Sequence, residues 1–316
     1  MNKKIAVLGG GTGLSALISG LKKFPVDITA IITVSDNGSS TGKLRNEFNI
    51  PAVGDIRKVI SNLSEIDNNI KKLIEYRFET SSDLDGHALG NLLLVGMLNM
   101  TGNLKESIAA LAKLLDVRHT VLPLSEDFLT LMGETVDGEI IEGEEQITKA
   151  NKKYKRIFYK DEPNVLPEVV DAIMEADLVI LSIGSLYTSL LPNLICKDVK
   201  QAIQKTNARV MYLCNAMTQP GETDDFGVSD HLKVLINCLG EGTIDVTIAA
   251  NSIIAQETLE KYISKEEKSP VVIDKENVEN MGIELIDDDI LTIENGTIRH
   301  DGLKLGSIIF SYMMRG

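Results

Sequence analysis

The apolar run Ile5-Ala6-Val7-Leu8 passes directly into Gly9-Gly10-Gly11-Thr12-Gly13, and an amphipathic stretch over residues 14–22 follows at once. This pattern predicts a buried strand, a glycine turn and a helix. Residues 27–34, rich in Ile, Thr and Val, read as a second strand. Strand, crossover helix and strand in this order form a parallel pair. A parallel sheet needs helices on both faces, so the opening restricts the chain to a doubly wound α/β fold.

Downstream, residues 54–115 turn helical, with segments over 55–65, 69–78, 87–100 and 104–115, and predict an inserted helical lobe. Between 117 and 160 the runs shorten to 120–124, 129–134 and 139–142 around Asp137-Gly138, the signal of a small antiparallel hairpin. Alternation then resumes, with helices over 167–176, 198–206 and 229–239 and strands over 178–183, 209–214 and 244–249. The tail carries weak strands over 271–273 and 282–285, a hairpin over 292–298 at Asn295-Gly296, and a helix from Leu303; Asp287-Asp288-Asp289 reads as a solvated loop. No internal repeat or linker interrupts the chain. Residues 1–316 are therefore expected to form one Rossmann-like, three-layer α/β domain with a mainly parallel sheet, the helical lobe and the hairpin being insertions.

Charge narrows the partners. With 46 acidic against 32 basic side chains, a net −14, the surface opposes general nucleic-acid binding and attachment to anionic membranes. An anionic ligand must be held by local donors, which backbone amides and a few cations supply. Cys196, Cys214 and Cys238 are odd in number and lie in apolar runs, which reads as buried reduced thiols. The four residues before the first strand are too short for a signal peptide, and no apolar run approaches a membrane span; the cytoplasm is the expected compartment.

In an open parallel sheet, ligands sit beyond the carboxyl ends of the strands. Five polar or glycine-rich loops fall on that edge. The first, Gly10-Gly11-Thr12-Gly13, brings backbone amides and a helix N-terminus to an anion, and with Ala16 fits a relaxed dinucleotide fingerprint; it equally suits a turn needed for helix packing. The second, Asp36-Asn37-Gly38-Ser39-Ser40-Thr41-Gly42, is dense in hydroxyls, suiting a sugar or phosphate but also a helix cap. Arg45 and, in Gly54-Asp55-Ile56-Arg57, Arg57 offer guanidinium forks to a phosphate. His87 and Asn91 stand one turn apart on an expected helix and would line the cleft wall. Gly184-Ser185-Leu186-Tyr187-Thr188-Ser189 with Asn193, and Asn215-Ala216-Met217-Thr218-Gln219-Pro220-Gly221-Glu222-Thr223, would complete a base or sugar pocket; Asn251 ends a further strand. No lysine follows the glycine loop in the P-loop manner.

Taken in order, Gly9 to Leu14, Thr33 to Arg45, Gly54 to Arg57, Gly86 to Asn91, Gly184 to Ser189 and Asn215 to Thr223 closely resemble the YvcK proteins of the CofD-like family. The resemblance implies a Rossmann-like fold and a cytoplasmic protein that binds UDP-N-acetylglucosamine and supports cell shape and cell-wall supply during gluconeogenic growth. A nucleotide sugar or nucleoside diphosphate is then the expected ligand, with a homo-oligomer and cell-wall synthesis proteins as further partners. The enzymatic branch is a metal-dependent 2-phospho-L-lactate transferase, which would bring magnesium, with Asp36 as the candidate metal ligand. Two departures are visible. Asn37 stands where a second Asp is usual, which disfavours metal-assisted transfer, and Ser182-Ile183-Gly184 replaces Gly-Pro-Gly. No catalytic residue is assigned and no cofactor is obligatory on this reading. The remote alternative, an NAD-type oxidoreductase, rests on the glycine fingerprint and Asp36 alone.

Overall fold

The computed structural model describes residues 2–294 and 296–315. Strand β1 (Lys3–Gly9) runs through the glycine turn into α1 (Gly11–Leu21) and back along β2 (Val26–Ile32). Alternation builds both faces of the sheet at once: Ile5 and Val7 enter one core, Ala6 and Leu8 the other. Helices α2 (Ser39–Phe48), α3 (Gly54–Leu63), α4 (Asn68–Glu75), α5 (Leu89–Thr101) and α6 (Leu104–Leu114) connect β2 to β3 (Thr120–Pro123). Gly102, at φ +70°, ends α5, and the Asn103 side chain caps α6 by accepting the Glu106 N–H at 2.8 Å.

A small sheet follows, β4 (Leu131–Thr135), β5 (Ile140–Glu142) and β6 (Tyr154–Tyr159), with α7 (Glu144–Lys149) between the last two. The doubly wound pattern then resumes: α8 (Pro167–Met174), β7 (Leu178–Leu181), a π-helical turn at Leu186–Leu190, α9 (Leu191–Leu194), α10 (Lys197–Lys205), β8 (Arg209–Leu213), α11 (Val228–Leu239) and β9 (Val246–Ala250). The chain closes with α12 (Gln256–Glu266), α13 (Lys275–Asn280), β10 (Glu284–Asp288), the hairpin β11 (Leu291–Glu294) and β12 (Thr297–His300), and α14 (Gly302–Arg315).

The main sheet has the order β10-β9-β8-β7-β1-β2-β3, with every pair parallel. Its order turns between β1 and β7, which places the topological switch point directly over the glycine turn. Helix α14 lies against α1 at backbone contact: a Cβ on Gly20 would fall 1.8 Å from the Gly302 carbonyl oxygen.

Several expectations are corrected. Residues 120–123 are the outer strand of the main sheet, paired with β2, and the small sheet gains a third strand, β6. Residues 39–42 open a helix. His87 lies ahead of α5, whose N-cap is Ala88, because the chain there is still turning back on Phe78. Asp287 and Asp288 belong to β10, and only Asp289 is in a loop, paired with Lys304. Residues 271–273 form no strand; isolated bridges lie at Pro270 and Val272. Asn295, expected in the tail hairpin, is outside the described residues.

Candidate functional site

The glycine turn delivers a helix N-terminus without a side chain in front of it. Gly10, in extended conformation, precedes α1 with no side-chain cap, so the first-turn N–H groups stay available. One is taken: Gly11 N–H donates to Asp55 Oδ2 at 2.5 Å, while Asp55 Oδ1 receives Lys58 Nζ at 2.9 Å. Gly11 itself requires the left-handed backbone, at φ +71°. Gly13 is there for closeness, since a Cβ would stand 2.7 Å from the Ile183 carbonyl oxygen. The close helix–strand packing expected of this loop is therefore present at Gly13.

Above the switch point opens a cleft of about 770 Å³. Of the sequence-predicted residues, Thr12, Gly13, Gly184, Asn215, Thr218 and Gln219 line it. Asn215 fixes its floor by a reciprocal pair, accepting the Gly184 N–H at 3.2 Å and donating to the Gly184 carbonyl at 2.7 Å. Thr218 pairs with Ser269 through both backbone and hydroxyl. The far wall is one that sequence reasoning missed: Tyr262 from α12, then Lys268, Arg299 and His300. The Tyr262 hydroxyl accepts the Ile298 N–H at 2.7 Å, which joins α12 to the tail hairpin. Burial pushes His300 down to about 4, so its ring is neutral at neutral pH, and its Nε2 has no partner.

Behind the cleft, the second tier of predicted residues forms a hydrogen-bonded wall. Ser185 donates to Glu222 Oε2 at 2.5 Å and accepts from both the Thr188 N–H and its hydroxyl. Gln219 holds the other Glu222 oxygen at 2.6 Å. Burial raises the Glu222 carboxyl to about 7; Glu144, at the start of α7, reaches about 7 through burial and then the nearby Asp36. Tyr187 is buried against Tyr154, and Asn193 lies in the core with its amide on the Ser189 carbonyl. Thr223 accepts the Gln219 N–H at 2.8 Å, and Gly221, at φ +78°, lets the loop touch the backbone of Asn151.

The β2 loop faces a different way. Asn37 accepts the Glu145 N–H at 2.8 Å and donates to Gln146, tying the loop to α7. Arg45 is 3% exposed and its fork is spent on the carbonyls of Ser35, Asp36 and Leu129, with its charge centre 4.1 Å over the Phe128 ring. Ser40 meets His87 Nδ1 at 2.9 Å and the Asn91 amide at 3.2 Å. Arg57 pairs with Glu75. Ser39, Ser40, Arg57 and Asn91 surround a smaller hollow, apart from the main cleft. Asp36 borders it too, its Oδ1 accepting the Gly38 N–H at 2.8 Å; burial chiefly raises its pKa. Among the described residues, no three His, Cys, Asp or Glu side chains converge to hold a metal ion. Asp55 is shared between Gly11 and Lys58.

An all-parallel sheet whose order turns at a glycine loop, under a polar cleft, defines a Rossmann-like α/β protein. The family model described as 2-phospho-L-lactate transferase CofD matches residues 5–291, and the chain belongs to the CofD family. Its relatives include the gluconeogenesis factor of Bacillus subtilis (strain 168), 45% identical over 307 residues, covering 97% of this chain and 96% of that protein. The gluconeogenesis factor of Halalkalibacterium halodurans is 43% identical over 308 residues, covering 97% and 95%. A crystal structure of a Bacillus halodurans protein superposes with a TM-score of 0.95 at 42% identity, covering 98% of this chain and 100% of that one. The chain thus stands with the YvcK-like gluconeogenesis factors, as its motifs implied. Among the described residues no helix is long and apolar enough to cross a membrane.

Proposed function

We propose that this chain is a nucleotide-sugar-binding regulator whose large cleft takes UDP-N-acetylglucosamine. The observation that carries this reading is the layout of the cleft. An uncapped helix N-terminus at Thr12-Gly13 lies at one side, and a neutral imidazole, a tyrosine and the exposed Arg299 lie at the other. The first suits the diphosphate, and Arg299 offers a guanidinium fork across the cleft from it. Asn215, Thr218 and Gln219 lie between and offer amides and a hydroxyl to the sugar. The role that goes with this proposal is a cytoplasmic one in cell shape and cell-wall supply on gluconeogenic carbon sources, and the relatives' name, gluconeogenesis factor, supports its gluconeogenic part. Titration calorimetry with UDP-N-acetylglucosamine should give saturable binding and leave the ligand intact. Absence of a binding isotherm at millimolar ligand would reject the reading.

The family match favours a second reading, a transferase of a phosphorus-containing group. Incubation with nucleotide-linked phospholactate, a deazaflavin acceptor and magnesium decides it, product formation being the outcome that this reading requires.

A further inference from the structure

We infer that the outer face of α5 is where two copies of this chain meet, α5 of one copy crossing α5 of the other at Gly96. Residues 89–101 carry no Asp, Glu, Lys or Arg, in a chain whose net charge is −14. A helix apolar all round normally belongs to an interior. Here Gly90, Asn91, Leu94 and Val95 are buried toward the core, while the opposite side is half-buried at Leu89 and Leu93 and exposed at Gly96 and Met100. Those four outward positions follow at alternating intervals of four and three residues, the spacing of a stripe that packs along a second helix.

The neighbours of α5 widen this stripe without covering it. Helix α4 adjoins its start, where Tyr76 accepts the Leu89 N–H at 2.9 Å and a Cβ on Gly90 would fall 2.7 Å from Ile74. Helix α6 returns antiparallel after Gly102-Asn103. With Lys105 turned to Glu168 on one flank of α6, Leu114 lies on the other, beside α5. Leu73 is 50% exposed, Tyr76 52%, Met100 87% and Leu114 63%. At about 200 Å² for a fully exposed large side chain, these four leave roughly 500 Å² open. The half-buried Leu89, Leu93 and Met97 bring the face to about 700 Å². That exceeds the roughly 300–600 Å² of a monomer's largest apolar patch and falls within the roughly 600–1,000 Å² per partner of a stable interface.

Charge selects a second copy as the occupant. The rim carries both signs, Lys72 and Glu75 on α4 and Glu106 and Lys113 on α6, all exposed. A two-fold axis lets each sign face its opposite, whereas an anionic lipid surface or a strongly charged partner would meet half of the rim as like charge. Contact through the charge-free α5 also keeps the charges of two acidic copies apart. Gly96 supplies the crossing point: a Cβ there would meet nothing within 4 Å, so a second backbone can come close.

This contact is independent of what the large cleft holds. Sedimentation velocity on the full chain, from about 0.5 to about 50 μM, should show a monomer passing into a dimer. Gly96→Glu fits the free monomer and replaces a weak helix former, so it should keep the far-UV circular dichroism while raising the dissociation constant at least about a hundredfold. Met100→Lys, at an exposed position, should act in the same direction. Ile253→Glu, at a fully exposed site ahead of α12, should leave the dimer unchanged. A monomer at every concentration overturns the proposal, and flotation of that monomer with phosphatidylcholine vesicles would give the face to a lipid surface instead. A dimer that survives both Gly96→Glu and Met100→Lys, or that is lost in Ile253→Glu, places the contact elsewhere and overturns it as well.

Discussion

Replacing Glu222 by Gln should flatten the dependence of stability on pH. The side chain is 4% exposed, and burial lifts its carboxyl from 4.5 to about 7. Between those values the folded chain holds a proton that the unfolded chain releases. The stability contributed by the protonated form is therefore complete below about pH 4.5 and is lost as the pH rises through about 7. Titration moved over that interval corresponds to about 3 kcal/mol. Glu144 contributes a slope of the same sign, so the variant should retain part of the effect. The amide can still accept the Ser185 hydroxyl but must turn its own N–H₂ toward Gln219. That mismatch costs about 1 kcal/mol at every pH, which makes the slope, not the offset, diagnostic. Urea denaturation at about pH 5.5 and about pH 8.5 measures it. If wild type and variant lose stability in parallel over this range, the burial argument fails.

Gly13→Ala should destabilise the chain by about 1–3 kcal/mol in a thermal melt, since the new methyl would stand 2.7 Å from the Ile183 carbonyl oxygen. Arg45→Met should cost about 3 kcal/mol, measured by denaturant titration, because three carbonyls lose a buried charged donor. Arg299→Ala should weaken UDP-N-acetylglucosamine about tenfold at unchanged melting temperature, being an exposed cation at the cleft. Cys196 and Cys214, both pushed up to about 12 by burial, should resist a thiol reagent until the protein is unfolded; rapid labelling of either in the native state contradicts their placement.

The strands and helices of the main sheet were legible because their apolar residues recur with clear periods, and because the glycine turn announces where β1 stops. The outer wall of the cleft was not. Helix α12 buries only Tyr262, so its sequence shows almost no apolar stripe, and a polar helix reads as a loop. Strand β3 was absorbed into the hairpin, since its partner β2 lies far back in the chain and parallel pairing leaves no local turn signal. Arg45 illustrates a third kind of blindness. Its residue type fits a phosphate fork, yet the carbonyl of Leu129, 84 positions away, claims it. Topology gathers the loops on the strand-end edge, but it does not say that the β2 loop turns toward its own hollow rather than toward the glycine turn.

The backbone contact between Gly20 and Gly302 bears on how the chain is made. Helix α1 aims the glycine turn, and one of its flanks is covered only when α14 arrives from the other end of the sequence. On the ribosome, β1, α1 and β2 emerge early and pair locally, but α1 waits with that flank open to water until nearly all the rest has been synthesised. A nascent chain can thus hold a native-like sheet edge before it has a settled glycine turn. Ligand competence should be among the last properties this protein acquires as it folds.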